Sequence, residues 1–325
     1  MAATSADGRY VAFSSDAPDL VFNDINARDV FVRDRVMSTT ELVSVASNEM
    51  QANRSALFPA ISADGRYVVF ASEADNLAPN DTNDKSDIFI RDRQLGATQR
   101  LSVDSSGAQA SDDSLTPSIS GDGRYVTFTS RAEDLVLDDA NGTFDAFVHD
   151  RDTGVTELVS VASDGTHGNF ASGGAGAGPA RISSDGRYAV FGSFASNLVG
   201  DDGNGVDDVF VRDRQLGITD RVSIATGGTE GNSHSIYGSV SDDGRYAVFE
   251  STADTLTPDD DNQASDVFLR DRQLATTVPL SDASDTEQGN GASHFAAISA
   301  DGEAVAFQSD AFNLVSGDGN GTTDV

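Results

Sequence analysis

Short apolar runs separated by polar, glycine-marked bends recur along the whole chain and set its secondary structure. Phe58-Pro59-Ala60-Ile61-Ser62 leads into a bend at Asp64-Gly65, and Arg66-Tyr67-Val68-Val69-Phe70 follows, which predicts strand, tight turn and strand. After a polar stretch come Asp87-Ile88-Phe89-Ile90-Arg91-Asp92, a turn at Gln94-Leu95-Gly96 and Thr98-Gln99-Arg100-Leu101-Ser102-Val103, a second hairpin. Tyr67-Val68-Val69-Phe70 and Ile88-Phe89-Ile90 are continuous apolar runs, so both faces of those strands need cover and one sheet must stack on the next.

The pattern repeats. The turn Asp-Gly-Arg-Tyr, or a variant of it, starts at Asp7, Asp64, Asp122, Asp185, Asp243 and Asp301, at spacings of 57, 58, 63, 58 and 58 residues. The one long interval holds Gly173-Gly174-Ala175-Gly176-Ala177-Gly178, which reads as a flexible loop inserted in the fourth unit. Sheets of four strands that bury one another in series describe a β-propeller, with a solenoid as the weaker alternative. The expected fold is all-β: a single six-bladed propeller over residues 1–325, with blades near 1–47, 57–104, 115–162, 178–225, 236–282 and 294–325. The sixth blade is incomplete. It has Ala296-Ala297-Ile298-Ser299 and Ala304-Val305-Ala306-Phe307, but the sequence reaches only Thr323-Asp324-Val325 where other units continue with a second hairpin. Such an edge calls for further residues or for a strand from a partner or another copy of the chain.

The Ser-x-Asp-Gly-Arg-Tyr-x-x-Phe hairpin followed by Asp-Val-Phe-Val-Arg-Asp resembles the TolB-type β-propeller repeats of bacterial secreted and surface proteins, over essentially the whole chain. The resemblance implies a propeller fold. It implies no single activity, because such propellers serve as periplasmic binding modules, surface proteins and enzyme domains alike.

Charge narrows the partners. With 21 basic and 53 acidic side chains the formal charge is −32, and a phosphate backbone would be repelled, so nucleic acid is not an expected ligand. Lys85 is the only lysine and just nine acids are Glu, which places the charge on Asp, a loop former, and disfavours helix. The absence of cysteine removes disulfides, thiolate nucleophiles and zinc–cysteine sites. No apolar run is long enough for a membrane span, and no charged-then-apolar leader precedes the first repeat.

Between the two hairpins of each unit lies Asp-x-Asn-x-x-x-Asp: Asp81, Asn83 and Asp87; Asp139, Asn141 and Asp145; Asp202, Asn204 and Asp208; Asp260, Asn262 and Asp266; Asp318, Asn320 and Asp324. The first unit has Asp24 and Asn26 with Asp29 one residue early. Calcium takes about six to eight hard oxygen ligands, and short oxygen side chains two residues apart converge when the backbone curls, which Gly142, Gly205 and Gly321 permit. Asp, Asn and Gly also form ordinary turns. A turn alone would accept Ser or Gly at any of the three positions, however, whereas both carboxylates and the amide recur in all six loops. Calcium is thus the expected ion, since neither His nor Cys accompanies the oxygens; without a closing bidentate Glu its affinity should fall in the weaker, extracellular range.

Catalytic signatures are missing. No nucleophile elbow, His-Glu-x-x-His, phosphate loop or dinucleotide fingerprint occurs. His149 replaces an Arg in a third strand, while His167, His234 and His294 precede first strands in consecutive blades. Those three would hold a transition metal only if their loops met, as in the propeller polysaccharide lyases this pattern resembles. The repeated Arg-Asp-Arg (Arg33 to Arg35, Arg91 to Arg93, Arg212 to Arg214, Arg270 to Arg272) reads as strand-end pairing of Arg with acids of its own or the adjacent blade. The insertion from Phe170 to Arg181 breaks the symmetry and is the natural place for a specialised contact. The expected protein is a non-catalytic, calcium-stabilised interaction or assembly scaffold, extracellular, surface-bound or periplasmic. The competing expectation is the propeller domain of an extracellular hydrolase or lyase.

Overall fold

In the computed structural model, which describes all residues but 1, 23, 25–27, 140, 259, 261, 285–286 and 319–321, five sheets have four antiparallel strands and two have two. Blade 1 is β1 (Ala2–Thr4), β2 (Tyr10–Ser15), β3 (Asp29–Asp34) and β4 (Thr39–Leu42). Blade 2 is β5 (Ala56–Ile61), β6 (Tyr67–Ser72), β7 (Asp87–Asp92) and β8 (Ala97–Arg100), and blade 3 is β9 (Ser114–Ile119), β10 (Tyr125–Ser130), β11 (Asp145–Asp150) and β12 (Val155–Leu158). The chain continues through α1 (Gly174–Ala177), β13 (Arg181–Ile182), β14 (Tyr188–Ser193), β15 (Asp208–Asp213) and β16 (Ile218–Arg221) of blade 4. Blade 5 is β17 (Ser235–Val240), β18 (Tyr246–Ser251), β19 (Asp266–Asp271) and β20 (Thr276–Pro279). A small hairpin, β21 (Asp282–Ser284) and β22 (Glu287–Gln288), precedes blade 6, which is β23 (Ser293–Ile298) and β24 (Val305–Ser309). This is a β-propeller with an incomplete last blade, as the repeat predicts. By contact it divides into two units, Met1–Val159 with Ala180–Gly186, and Ser160–Pro179 with Arg187–Val325.

In the first unit each blade is centred on two cross-strand Phe rings, Phe13–Phe31, Phe70–Phe89 and Phe128–Phe147, at 5.7, 5.9 and 5.7 Å, a separation suited to offset stacking. The Asp-Gly turn is built from its own side chains. Ser62 Oγ donates to Asp64 Oδ1 at 2.6 Å, the Arg66 N–H donates to the same oxygen at 2.9 Å, and Gly65 sits at φ +73°, a conformation that favours glycine. Arg66 then reaches Asp92 through Nε and Nη2 at 3.0 and 2.6 Å, while Asp92 accepts the N–H groups of Gln94 and Leu95 in the next turn. Asp92 of the Arg-Asp-Arg run is thus fastened by the Arg of the preceding turn, a pairing the sequence reading did not name, while Arg91 and Arg93 on either side of it pair with Glu49 and Glu41 of the preceding repeat. Blade meets blade at the same place: Gly65 and Gly123 lie against the rings of Tyr10 and Tyr67, on which Arg93 and Arg151 of the following blade also stack, at 4.5 and 4.2 Å.

The second unit repeats these devices with Phe191–Phe210 and Phe249–Phe268 at 5.9 and 5.8 Å, Tyr188 against Gly244, and Arg245 on Asp271. One expectation fails here. The Gly173–Gly178 segment, read as a flexible loop, contains the short helix α1 and is packed down: Ala177 is buried, and a Cβ at Gly192 would lie 2.0 Å from the Ala177 carbonyl oxygen. Glycine at 192, where other blades carry Ser14, Ala71, Thr129 and Glu250, makes the room.

A recurring feature had no sequence forecast. The first strands of blades 2, 3, 5 and 6 each contain a bulge, with Phe58, Thr116, Tyr237 and Phe295 at φ 54, 51, 55 and 56° inside a register shift. The extra residue turns the strand without breaking its pairing on either side.

Candidate cation-binding loops

The last Asp of each acidic motif opens the third strand, opposite a Ser of the second: Ser15↔Asp29, Ser72↔Asp87, Ser130↔Asp145, Ser193↔Asp208 and Ser251↔Asp266. The isolated bridge Ser309↔Asp324 keeps the same register in blade 6. Asp29 thus takes the common position despite its shorter loop. A second Ser, beyond the fourth strand, fixes the carboxylate. Ser44 and Ser281 donate to Oδ1 of Asp29 and Asp266 at 2.7 and 2.6 Å, and Ser102 and Ser223 do the same for Asp87 and Asp208. These carboxylates are buried.

The Asn of the motif shapes the loop. Its Oδ1 accepts the N–H two residues on, from Lys85, Thr143, Val206 and Ala264 at 3.0, 2.8, 2.9 and 2.6 Å, an Asx turn. Its Nδ2 donates to the Oδ2 of Asp145, Asp208 and Asp266 at 2.7, 3.3 and 3.1 Å. In blades 3, 4 and 5 the amide thus serves the turn through its oxygen and steadies the closing carboxylate through its nitrogen. Asn26 and Asn320 lie outside the described residues; Asp24, Asp318 and Asp324 are described at the loops of blades 1 and 6.

What lies between the two carboxylates differs from blade to blade. In blade 2 Gln109 Nε2 donates to both Asp81 Oδ1 and Asp87 Oδ2 at 2.8 Å, and Arg100 Nη1 is 3.5 and 3.8 Å from the two side chains. In blade 4 Asp202, Asp208 and Glu230 have ligand atoms within 4.8 Å of one another, the one such grouping of three among the described residues. Arg221 lies among them: Nη1 pairs with Glu230 and is 3.4 Å from Asp208 and 3.9 Å from Asp202. Blade 5 has Pro279 where these arginines stand. There Gln288 Nε2 bridges Asp260 and Asp266 at 2.7 and 3.4 Å, Asp282 adds a third carboxylate where blades 1 to 4 have Val or Ile, and no basic side chain pairs with any of the three among the described residues. Blades 1 and 3 carry Leu42 and Leu158 at the arginine position.

Burial governs how these acids titrate. It pushes Asp87 and Asp202 up to about 6 and raises Asp208, Asp260, Asp266 and Asp282. A folded-state value above the unfolded one means that the native protein holds protons the unfolded chain has released. For Asp87 and Asp202 stability should therefore fall as pH rises from about 4 to 6, by up to about 1.4 kcal/mol per unit for each, and level off above; the other four act in the same direction. Thermal melts in chelator across pH 4 to 8 check this; Asp87→Asn should flatten the falling limb, and an unchanged profile in the variant would remove Asp87 as its cause.

The histidines do not gather. His234 Nδ1 meets Asp207, and His294 Nδ1 lies 3.2 Å from Glu250. Neither they nor His167 belong to a group of three metal-competent side chains within 4.8 Å among the described residues. Glu250, a buried carboxylate in β18 that also accepts the Phe295 N–H, escaped sequence analysis. Its signal was an acid in a row otherwise filled by Ser14, Ala71, Thr129 and Gly192.

No protein-family model and no curated protein matches the sequence. Solved structures match by fold. A protein described as TolB from Agrobacterium tumefaciens is 17% identical with a TM-score of 0.53, over 86% of this chain and 79% of that one. An oligogalacturonate lyase in complex with manganese is 13% identical with a TM-score of 0.55, over 99% and 74%. The β-propeller domain of the Trilobed protease from Pyrococcus furiosus, with an open velcro topology, is 12% identical with a TM-score of 0.57, over 95% and 76%. The chain spans 54% of the length of TolB from Acinetobacter baumannii, at 15% identity and a TM-score of 0.48. With its repeated hairpins, its stacked four-stranded blades and the first three of these neighbours, the chain has the fold of a TolB-like β-propeller.

Proposed function

We propose that this protein is a non-catalytic, calcium-stabilised propeller that acts outside the cytoplasm, in the periplasm or at the cell surface, as a protein-interaction scaffold. The observation that carries the reading is blade 5, where buried Asp266 and half-buried Asp260 share the amide of Gln288 with Asp282 nearby, and no basic side chain pairs with the three among the described residues. Uncompensated buried carboxylates are costly, and a divalent ion relieves that cost. The donor set fits calcium: the carboxylates of Asp260 and Asp266, the oxygen of Gln288 once its amide is turned over, then carbonyls and water, with Asp282 adding negative charge nearby. The chain has no thiolate, and among the described residues no imidazole joins a metal-competent group, so nothing favours a transition metal. The manganese complex of the lyase supports a divalent ion on this fold. Blades 2 and 4 would take calcium less readily, because Arg100 and Arg221 already supply positive charge.

Protein interaction is supported by β24, whose residues Val305 to Gln308 pair with β23 on one side only among the described residues. A strand supplied by a partner chain, or by residues following Val325, would complete that ladder. Calcium at a hundredfold excess over its dissociation constant is expected to add about 2.7 kcal/mol per site, or about 4 °C in melting temperature for a chain of this size. Calorimetry in calcium and in chelator measures it. Asp266→Asn should lose the share due to blade 5, and identical midpoints in the two buffers would refute the calcium reading.

A further inference from the structure

The repeat also shows where one blade interface departs from the others. Before the closing Asp of the third strand stand Arg33, Arg91, His149, Arg212 and Arg270. Arg91, Arg212 and Arg270 each extend Nη1 to a backbone carbonyl of the preceding repeat, at Ala46, Ala162 and Ala225, 3.3 Å away in each case. His149 is shorter and turns its Nδ1 to Thr156 Oγ1 at 2.9 Å, so the room an arginine side chain would fill between blades 2 and 3 stays open. Just after the closing Asp, Arg93 pairs with Glu41 and Arg272 with Asp220. The residue facing Arg151 in the same place is Gln99. Arg151 donates through Nη1 to the Gly123 carbonyl, but its Nε is buried without a hydrogen-bond partner, and no ion pair reaches it among the described residues.

The two changes fall in one cleft. It measures about 340 Å³, is lined by His149, Arg151, Arg100, Gln99, Leu101 and Val103 among others, and has no carboxylate in its wall. The charge of Arg100 is answered by Asp81 and Asp87; that of Arg151 is not answered. The cleft beside Arg272 is by contrast lined by Asp220 and Asp243. In a protein of net charge −32, an acid-free cleft with an unbalanced guanidinium is the place where an anion gains rather than loses.

We propose that this cleft binds a small organic carboxylate, whose carboxyl group takes against Arg151 the place that Glu41 takes against Arg93, and whose apolar body fills the space left open by His149. Gln99 is exposed and can swing aside to admit it. Leu101 and Val103 supply an apolar wall, and a single charge-assisted pair in a half-open cleft sets a dissociation constant of about 1 mM.

The test is a titration of the 15N-labelled protein with benzoate, followed at the amides of Gly107, His149 and Arg151. Saturable shifts are expected with benzoate and not with neutral benzamide. Gln99→Glu installs the missing internal partner and should weaken benzoate at least tenfold while keeping or raising the melting temperature; Arg151→Gln should abolish binding. Equal shifts from benzamide, or benzoate binding that survives both substitutions, would overturn the proposal. Inorganic phosphate binding as tightly as benzoate would overturn the organic carboxylate in favour of a bare oxyanion.

Discussion

Replacing Phe210 by alanine is expected to cost about 3–5 kcal/mol of folding stability. The ring is fully buried in β15 and stacks on Phe191 of β14 at 5.9 Å. Close packing on both faces of the sheet leaves the surroundings little freedom to collapse into the hole, which puts the loss toward the upper end of the range. Phe89→Ala, at the equivalent place in blade 2, should cost as much. Phe307→Ala should cost clearly less, because that ring is only half-buried in a blade of two strands. Urea denaturation of the three variants checks the ranking, and a Phe307 loss equal to the other two would contradict the account of where the core is densest.

Gly244→Ala is the second large effect. An added Cβ would lie 2.2 Å from Cζ of the buried Tyr188 ring, at a residue with φ +68°. Left-handed backbone costs a non-glycine residue about 1–2 kcal/mol and overpacking adds about 1–3 kcal/mol, for a combined loss of about 2–5 kcal/mol. The two terms separate in a double-mutant cycle. In a Tyr188→Ala background the steric term vanishes, and Gly244→Ala should then cost only the backbone share of about 1–2 kcal/mol. An equal cost in both backgrounds would mean that the ring and the turn are not in contact.

Much of this fold was legible because its instructions are local and repeated. Asp64-Gly65 states a turn, Tyr67-Val68-Val69-Phe70 a strand covered on both faces, and six recurrences state that such sheets stack. The bulges at Phe58, Thr116, Tyr237 and Phe295 were not legible, since a register shift depends on both strands and only one carries the left-handed residue. The packing of α1 was hidden too: its signal is Gly192, far along the chain and meaningful only once the strand that bears it faces Ala177.

At the acidic loops the sequence located the carboxylates but missed their company. Arg100 and Arg221 lie at the end of the fourth strand, 13 residues after the Asp they approach, and only the folded hairpin brings them near it. Alignment of the repeats held the clue: Arg alternates at that position with Leu42, Leu158 and Pro279. The amide has a further duty that spacing alone did not reveal. An Asn two residues before a free N–H serves its own turn first, and the spacing alone does not distinguish that duty from reaching an ion.

The Tyr–Gly contact between neighbouring blades bears on how such a chain came about. Units two to five each carry the ring that receives the successor and the side-chain-free bend that fits the predecessor, so any of these units is compatible with a copy of itself. A tandem duplication of one 58-residue segment would add a blade that seats on its parent without a compensating change elsewhere. The individuality seen at His149, Gln99 and Glu250 then marks where single units depart from the common plan.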